Sequence, residues 1–429
     1  MLASATAWTH TLGILGLVLI FVIGTLRSIN LGALSLAATF LIGMLLAHDS
    51  LADMYRGFPV DLLILLVGVT YLFGIAVSNG TIERLVTAAA HQVKHRRAAI
   101  PWIVFVVAAV PTMAGALGSA AAALLAPIAL RLAERCSLDR RMIGLMVLHG
   151  SACGNFSPLN ALSVIVLQGT ARSGLEMSAS ALFLANVVYN VVLGAVIFLW
   201  FGGLRLTHSR PEQAERAEQA EQESVLPAVP QRRPGWDQVC TLVALLVVLL
   251  LALTYGLSIG FPALIAAVIL HLIFPGSSAG AERKIAWDVV LLVCGIVTYV
   301  AALQRYGTVD AMGAAIAGLD APLFSALLIC VVGAFASAFA SSAGILGVMI
   351  ALAAPFMIQG DVGVVGFVIA LAVSATVVDS SPFSTAGALV VANAAEGERQ
   401  YVYRGLLVWG AAMALTAPLV TWLFFVVLA

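Results

Sequence analysis

The sequence predicts an all-α polytopic membrane protein built from two inverted repeats, each with five transmembrane helices and one re-entrant hairpin. Hydrophobic residues make up 62% of the chain and charged residues only 10%, whereas a soluble domain has about 25% charged residues. Matching residues recur about 227 positions apart. Basic residues fall almost entirely on one side of the predicted helices. All three observations fit this fold class.

The repeat is seen as pairs of residues that follow the same order in both halves. A gapless set in the first half, Asp61, Gly68, Gly80 and Thr81, matches Asp288, Gly295, Gly307 and Thr308. Further pairs are Trp8 with Trp236, Gly32 with Gly260, Ala126-Pro127 with Ala354-Pro355, and Ser157-Pro158 with Ser381-Pro382. We therefore divide the chain into a first repeat at residues 1–204, a polar linker at 205–236 and a second repeat at 237–429.

Apolar runs of about 20 residues are long enough to cross a bilayer as helices. They predict helices at 9–26, 29–47, 59–80, 140–169 and 180–203, and then at 237–254, 257–275, 287–305, 364–393 and 402–428. In each repeat a further stretch, 99–135 or 321–358, has apolar arms around clustered small residues, which predicts a re-entrant hairpin. Five crossings are an odd number, so the second repeat is predicted to be upside down relative to the first.

The distribution of charge predicts the orientation in the membrane. If the N-terminus lies outside, the only basic residues outside are Arg56, Arg172 and Arg305. Because Lys and Arg accumulate on the cytoplasmic side, both termini are predicted outside and the linker in the cytoplasm. Reading each hairpin as two full crossings gives the same parity, so charge leaves that alternative open.

Composition also bears on function. The formal net charge is zero, so the sequence gives no indication of nucleic-acid binding. The five cysteines are scattered and show neither a metal-binding spacing nor a disulfide framework. We expect no enzymatic activity and no cofactor other than a bound cation.

Two of the predicted helices are too long for a simple span and contain a polar interruption. The first interruption, at 149–160, reads HGSACGNFSPLN, and the second, at 374–387, carries Asp379, Ser381-Pro382 and Ser384-Thr385 among small and apolar neighbours. Proline removes an amide donor and clashes with the preceding turn. Non-helical backbone at membrane depth persists only where protein or a water-filled cavity satisfies it. A proline kink would explain one such segment, whereas two at equivalent positions predict the binding site of a secondary transporter.

Small residues cluster at the two predicted hairpin tips, which we define as residues 115–119 and 341–344. Free amides at the start of each second arm suit an anion, and unwound carbonyls and hydroxyls suit a small cation such as sodium. Close packing of membrane helices would also use small residues. The predicted substrate-binding residues are Gly118, Ser119, Asn155, Ser157, Asn160, Ser341, Ser342, Ser384 and Thr385. The predicted cation-binding residues are Gly115, Gly154, Gly344, Asp379 and Ser381.

Asp379 is the only acidic residue that this topology places near mid-depth in a broken helix. An isolated carboxylate there costs about 3 kcal/mol on insertion scales. It is predicted to bind a cation or carry a proton, and the alternative is an Asp that bonds neighbouring amides in an Asx-turn. His149 is more simply explained as a hydrogen-bonded core histidine. No Lys or Arg lies at either interruption, so a bound anion would need a co-bound cation.

Several segments resemble the MatC-type dicarboxylate carriers, in the superfamily that also holds the divalent anion/sodium symporters. They are INLGAL at 29–34, GFPVDL at 57–62, VTYLF at 69–73, NGTI at 79–82, GALG at 115–118, AP at 126–127, GLMV at 144–147, FSP at 156–158 and Asp379-Ser380-Ser381-Pro382-Phe383-Ser384-Thr385. The resemblance implies a homodimeric carrier of the bacterial inner membrane with periplasmic termini and an elevator mechanism. It also implies symport of a small dicarboxylate, such as malonate or succinate, with sodium or protons.

The sequence departs from the related symporters at the tips, where those proteins carry Ser-Asn-Thr. The first tip here has Leu117-Gly118-Ser119, and the second has neither Asn nor Thr. Asn155 and Asn160 are the nearest amides that could replace the missing side chains.

Three other functions fit the sequence less well. A cation/proton antiporter of the same superfamily would use Asp379 without binding an organic anion. An intramembrane enzyme would need a second acid or nucleophile facing Asp379 or His149, and the sequence offers no such pair. An anion channel is disfavoured by two matched occluding hairpins.

Overall fold

The fold is known from a computed structural model. It describes residues 2–27, 29–47, 49–82, 84, 97–206, 235–255, 260–308, 311, 321–339, 342–358 and 362–428. Most of the predicted linker at 205–236 lies outside the described residues, as does Ser341 of the second tip. Within the described part of the chain, all regular secondary structure is helical.

Eight main helices lie in the described residues of the first half. They are α1 (Leu2–Arg27), α2 (Leu31–Ile42), α3 (Val60–Ser78), α4 (Ile100–Met113), α5 (Gly118–Arg135), α6 (Arg140–Cys153), α7 (Ala161–Arg172) and α8 (Ala179–Trp200). A π-helical turn, Gly43–Ala47, continues α2, and a short helix, Leu51–Arg56, precedes α3.

The second half, where the structure describes it, contains eight α-helices in the same order. They are α9 (Trp236–Tyr255), α10 (Gly260–Ile273), α11 (Trp287–Arg305), α12 (Pro322–Phe339), α13 (Ser342–Ile358), α14 (Val364–Val377), α15 (Thr385–Ala392) and α16 (Arg399–Trp422). A π-helical turn, Leu423–Val427, continues α16. The helix predicted at 287–305 coincides with α11, and the two long helices predicted at 140–169 and 364–393 are each divided in two.

Five helical segments of the described chain are long and apolar enough to cross a membrane. They are Val60–Ser78, Ala179–Trp200, Trp287–Arg305, Val364–Ala392 and Arg399–Val427. The spans predicted at 9–26, 29–47, 237–254 and 257–275 contain shorter apolar helices. Large apolar side chains are exposed along the outer faces of several helices, for example Leu184 and Val188 on α8. Such faces suit contact with lipid, because a water-facing surface would carry polar residues there.

Four glycines allow two pairs of helices to cross at backbone contact. A Cβ atom on Gly32 of α2 would lie 1.9 Å from the Leu291 carbonyl oxygen, and one on Gly295 of α11 would lie 2.1 Å from the Gly32 carbonyl oxygen. A Cβ atom on Gly68 of α3 would lie 2.3 Å from the carbonyl oxygen of Gly260 on α10. Only glycine permits approaches this close.

These crossings connect the two halves reciprocally. In the repeat, Gly32 corresponds to Gly260 and Gly68 to Gly295. Because α2 corresponds to α10 and α11 to α3, the contact of α2 with α11 and the contact of α10 with α3 are equivalent in the two halves. We call the helices that these contacts unite, α1–α3 and α9–α11, the scaffold.

The remaining helices form a second body, which we call the site body. Helices α4 and α5 are joined by a short turn and pack against α6, and α12 packs in the same way against α14. The helices that follow the two tips, α5 and α13, each contact the opposite half of the chain. Helix α5 packs against α15, and α13 packs against α7. Neither half of the site body is therefore complete without the other.

Contacts between the scaffold and the site body are not reciprocal. Helix α3 packs against α7, where Arg172 forms an ion pair with Asp61, and α11 packs against α13. In the repeat, α3 corresponds to α11, α5 to α13 and α7 to α15. The equivalent contacts would therefore be α11 with α15 and α3 with α5, and those pairs have no comparable contact among the described residues. The site body thus sits against the scaffold in a position that breaks the symmetry of the repeat.

The glycine crossings give a prediction for stability. Gly68→Ala places a methyl group against the backbone of α10, and overpacking of this kind costs about 1–3 kcal/mol. We expect a lower unfolding temperature for the purified protein in detergent. Gly347→Ala is the matched control, because its Cβ atom would meet Ile165 at an ordinary 3.8 Å and alanine favours a helix interior. Equal unfolding temperatures for the two variants would contradict the crossing.

Candidate functional site

Both predicted interruptions are present as breaks in the helical backbone. Helix α6 ends at Cys153 and α7 begins at Ala161, so residues 154–160 form the first break. Helix α14 ends at Val377 and α15 begins at Thr385, so residues 378–384 form the second break, which includes one 3₁₀ turn. Neither helix continues through its proline.

The first break is bonded to the first tip by two polar side chains. The Ser157 hydroxyl donates to the Met113 carbonyl oxygen at 2.7 Å. The Asn160 amide donates to the carbonyl oxygens of Thr112 and Ala116 at 3.0 and 2.8 Å, and its Oδ1 accepts from the backbone of α7 as an N-cap. Ser157 and Asn160, predicted as substrate ligands, therefore bond to backbone carbonyls at the end of α4 and, for Asn160, in the first tip.

Two glycines bring the tip and the first break into close contact. A Cβ atom on Gly154 would lie 2.2 Å from Thr112 Oγ1, and one on Gly115 would lie 2.9 Å from the Leu159 carbonyl oxygen. Gly115 also has a φ of 110°, which side chains with a Cβ rarely adopt. Both glycines, predicted as cation-binding positions, have a direct packing reason to be glycine.

We call the first break and the first tip together the first half-site, and the second break and the second tip the second half-site. The first half-site has two kinds of polar group without a protein partner. The Asn155 Oδ1 atom is buried and accepts no hydrogen bond, and it would lie 3.6 Å from a Cβ on Gly118. Helix α5 begins at Gly118 without a side-chain cap, so its first amides are free to bind an anion. Ser119, in the same first turn, is partly buried. The structure thus brings Asn155, Gly118 and Ser119 together.

The second half-site is centred on the Asp379 carboxylate. Ser342 Oγ lies 2.7 and 2.6 Å from its two oxygens, and Ser337 Oγ lies 2.9 Å from Ser342 Oγ. One hydroxyl can donate to only one carboxylate oxygen at a time. No ion pair among the described residues includes Asp379. The carboxylate therefore has spare acceptor sites for a cation or a proton.

The other predicted residues of the second half-site have different environments. Ser384 caps α15 by accepting from the Gly387 amide at 3.0 Å, and its hydroxyl can donate to the carbonyl oxygen of either Asp379 or Ser381. Ser381 Oγ is buried without a partner. Thr385 is exposed. A Cβ atom on Gly344 would meet Ile296 of α11 at 3.2 Å, so this glycine packs against the scaffold.

The oxygen-rich second half-site fits a hard cation. The Asp379 carboxylate, Ser342 Oγ and the unpartnered Ser381 Oγ are oxygen groups of the kind that bind sodium at broken membrane helices. Among the described residues there is no cluster of three or more His, Cys, Asp or Glu that could hold a metal ion.

Sequence reasoning missed a polar group beside the first break. Asn186 and Asn190 of α8 are fully buried and bond to the end of α6 and to His149. His149, in turn, accepts from the indole of Trp409. Two asparagines spaced four residues apart on one apolar helix were the available signal, because polar residues in membrane helices usually face the interior of the bundle.

An open cavity of about 510 Å³ lies away from both breaks, at the ends of α5 and α6. Its charges are largely paired within the protein, with Arg140 and Glu398 2.5 Å apart and Arg141 and Asp139 2.8 Å apart. Burial raises the pKa of the Asp139 carboxyl, but hydrogen bonds and charge from Arg141 outweigh it and lower that pKa below its usual value. This cavity is separate from the candidate site.

Comparison with known proteins gives a family match and a likeness to solved structures. Residues 8–155, about a third of the chain, match the family model described as dicarboxylate carrier protein MatC N-terminus. Among solved structures, the chain is similar to the YdaH transporter of Alcanivorax borkumensis, reported to have an unusual topology. The sequences are 13% identical and the TM-score is 0.56, over 87% of this chain and 86% of the transporter. No curated protein matches the chain.

The family match extends from the first helix into the first break, and it includes most of the sequence motifs quoted for the first half. At 13% identity, the structural likeness shows a shared fold alone. The chain is a multi-pass membrane protein that resembles the MatC dicarboxylate carriers over residues 8–155 and has the fold of a solved membrane transporter.

Proposed function

We propose that the protein is a secondary active transporter that imports a small dicarboxylate together with sodium or protons. The observation that carries this proposal is the pair of helix breaks at repeat-equivalent positions, each holding a buried oxygen without a partner, Asn155 Oδ1 in one and Ser381 Oγ in the other. Unsatisfied buried oxygens are rare in folded proteins. A ligand bound between the breaks would satisfy them.

The first half-site suits the anionic substrate. The free amides at the start of α5 attract negative charge, and Gly118 leaves the backbone accessible beside Asn155. The match of residues 8–155 to a dicarboxylate carrier model supports a dicarboxylate, in the size range of malonate and succinate. Ser157 and Asn160 would act by holding the tip in place.

The second half-site suits the coupling cation. Asp379 precedes Ser381 by two residues, as Asn155 precedes Ser157, so the carboxylate occupies the position of a neutral amide in the first break. The two half-sites therefore differ by one negative charge. A cation at Asp379 would offset both this charge and part of the charge of the substrate.

We also propose an elevator mechanism, in a homodimer held together by α2 and α10 of the scaffold. The asymmetric docking of the site body supports it, because exchange of the two halves defines a second position with α3 against α5 and α11 against α15. Movement between the two positions would break the ion pair of Asp61 with Arg172. The expected location is a bacterial inner membrane, with both termini periplasmic.

The test of function is a thermal-shift screen of the purified protein with dicarboxylates at varied sodium concentration and pH, followed by uptake into proteoliposomes. A ligand that binds the folded state raises the apparent unfolding temperature. We expect stabilisation by a C3 or C4 dicarboxylate that strengthens with sodium or protons. Sodium-dependent proton movement without any organic-anion binding would instead identify a cation/proton antiporter.

Asp379→Asn should abolish the cation dependence of uptake. The amide keeps the shape of the side chain but has neither the charge nor a titratable proton, so we expect the uptake rate to fall at least tenfold and no longer to respond to sodium or pH. Asp53→Asn is the control, since Asp53 is a surface carboxylate paired with Arg56. Parent-like cation dependence in Asp379→Asn would remove this residue from the coupling site.

Two neighbouring serines give a matched pair of variants. Ser384→Ala removes the N-cap of α15 and should cost about 1 kcal/mol of folding stability. Ser381→Ala removes a hydroxyl that has no protein partner, so stability without ligand should stay the same while stabilisation by the cation declines. Thermal unfolding with and without sodium distinguishes the two effects. Full sodium stabilisation of Ser381→Ala would exclude its hydroxyl as a ligand.

A further inference from the structure

A chain of hydrogen bonds links the last helix of the protein to the middle of the site body. The Trp409 indole N–H of α16 donates to His149 Nε2 at 2.8 Å. The other ring nitrogen, Nδ1, lies 3.1 Å from Asn190 Oδ1. Both nitrogens of the imidazole are therefore engaged, and the ring is fully buried.

The chain continues along α8 to the end of α6. Asn190 Nδ2 donates to Asn186 Oδ1 at 3.0 Å. Asn186 Nδ2 donates to the carbonyl oxygens of Ala152 and Cys153 at 2.9 and 3.0 Å. These are the last two residues of α6 before the first break.

Asn186 supplies the donor that the broken helix has lost. In a continuous helix the Cys153 carbonyl would accept from the amide of Ser157, but here that amide bonds to the Gly154 carbonyl instead. A buried carbonyl without a donor is costly in an apolar medium. The Asn186 side chain therefore stabilises the position at which the helix ends.

The direction of every bond in the chain follows from its first donor. An indole N–H can only donate, so His149 Nε2 must be unprotonated and the network assigns the proton to Nδ1. Nδ1–H then donates to Asn190 Oδ1, which fixes the orientation of that amide and, through it, the orientation of the Asn186 amide. The indole donor on α16 thus reinforces the orientation in which Asn186 donates to the end of α6, an orientation that the Ala152 and Cys153 carbonyl oxygens also require.

The second break is supported in a different way. A Cβ atom on Gly410 of α16 would lie 2.5 Å from Ser381 Cβ, so this helix packs directly against the second break. The hydrogen-bonded chain belongs to the first break alone among the described residues.

We propose that Trp409, His149, Asn190 and Asn186 are positioning residues for the first half-site. They hold the end of α6 so that Asn155 faces the start of α5, where the dicarboxylate would bind. This inference rests on the proposed function and extends it, because it assigns four residues outside the breaks to substrate affinity.

The test compares variants in proteoliposomes, with the KM and kcat of dicarboxylate uptake measured at saturating cation. Asn186→Leu should raise KM at least tenfold while kcat changes less than threefold. Trp409→Phe keeps an aromatic ring but loses the donor, and should raise KM severalfold. His149→Gln offers one donor and one acceptor, and should have a lower KM than His149→Leu.

The matched control is Asn79→Leu. Asn79, which follows α3, donates to Thr241 of α9 at 2.8 Å and so bonds two scaffold helices to each other. Its loss should therefore lower stability without raising KM. An equal rise of KM in Asn79→Leu, or a parent-like KM in a folded Asn186→Leu protein, would overturn the proposal. If Asn186→Leu fails to fold, the KM values of Trp409→Phe, His149→Gln and His149→Leu test the proposal instead, and parent-like values in all three would overturn it.

A second measurement does not depend on transport. Hydrogen–deuterium exchange over residues 150–160 should be at least tenfold faster in Asn186→Leu and Trp409→Phe than in the parent protein, and unchanged in Asn79→Leu. Unchanged exchange in the first two variants would overturn the positioning role. If the variants exchange faster but the parent protein binds no dicarboxylate, the positioning role is upheld and the proposed substrate is wrong.

Discussion

The structure depends on one constraint, which is that backbone polar groups in an apolar medium must find partners within the protein. Two helices are broken near their centres, and each break frees carbonyls and amides. In the first break Asn160 and Asn186 satisfy such groups, and in the second Ser384 does so. Two buried side-chain oxygens at the breaks, Asn155 Oδ1 and Ser381 Oγ, have no hydrogen-bond partner in the protein and stand out against this background.

Much of the fold could be predicted because membrane helices are determined by local composition. The helix at 287–305 was placed correctly, since Trp287 and Arg305 bound an uninterrupted apolar run. The breaks were located from Pro158 and Pro382 together with their small neighbours. The reciprocal glycine contacts were not predicted, because sequence alone does not tell whether a glycine meets a ligand, a turn or another helix.

The candidate site was predicted in outline, while the use of individual atoms was not. A side chain that repairs broken backbone and a side chain that binds substrate need the same donors and acceptors, so Ser157, Asn160 and Ser384 looked like ligands although they bond to the protein. Gly344 was predicted as a cation-binding position of the second tip, and in the structure it packs on α11. Asn186 and Trp409 were missed because their partners are distant in sequence and only the folded bundle brings them together.

The glycine crossings also make the two halves of the chain depend on each other. Each scaffold helix that carries a crossing glycine meets its backbone partner in the opposite half, so half of the chain alone would leave these grooves uncovered. Such a half could bury them only against a second copy of itself, whereas the single chain supplies both surfaces at once.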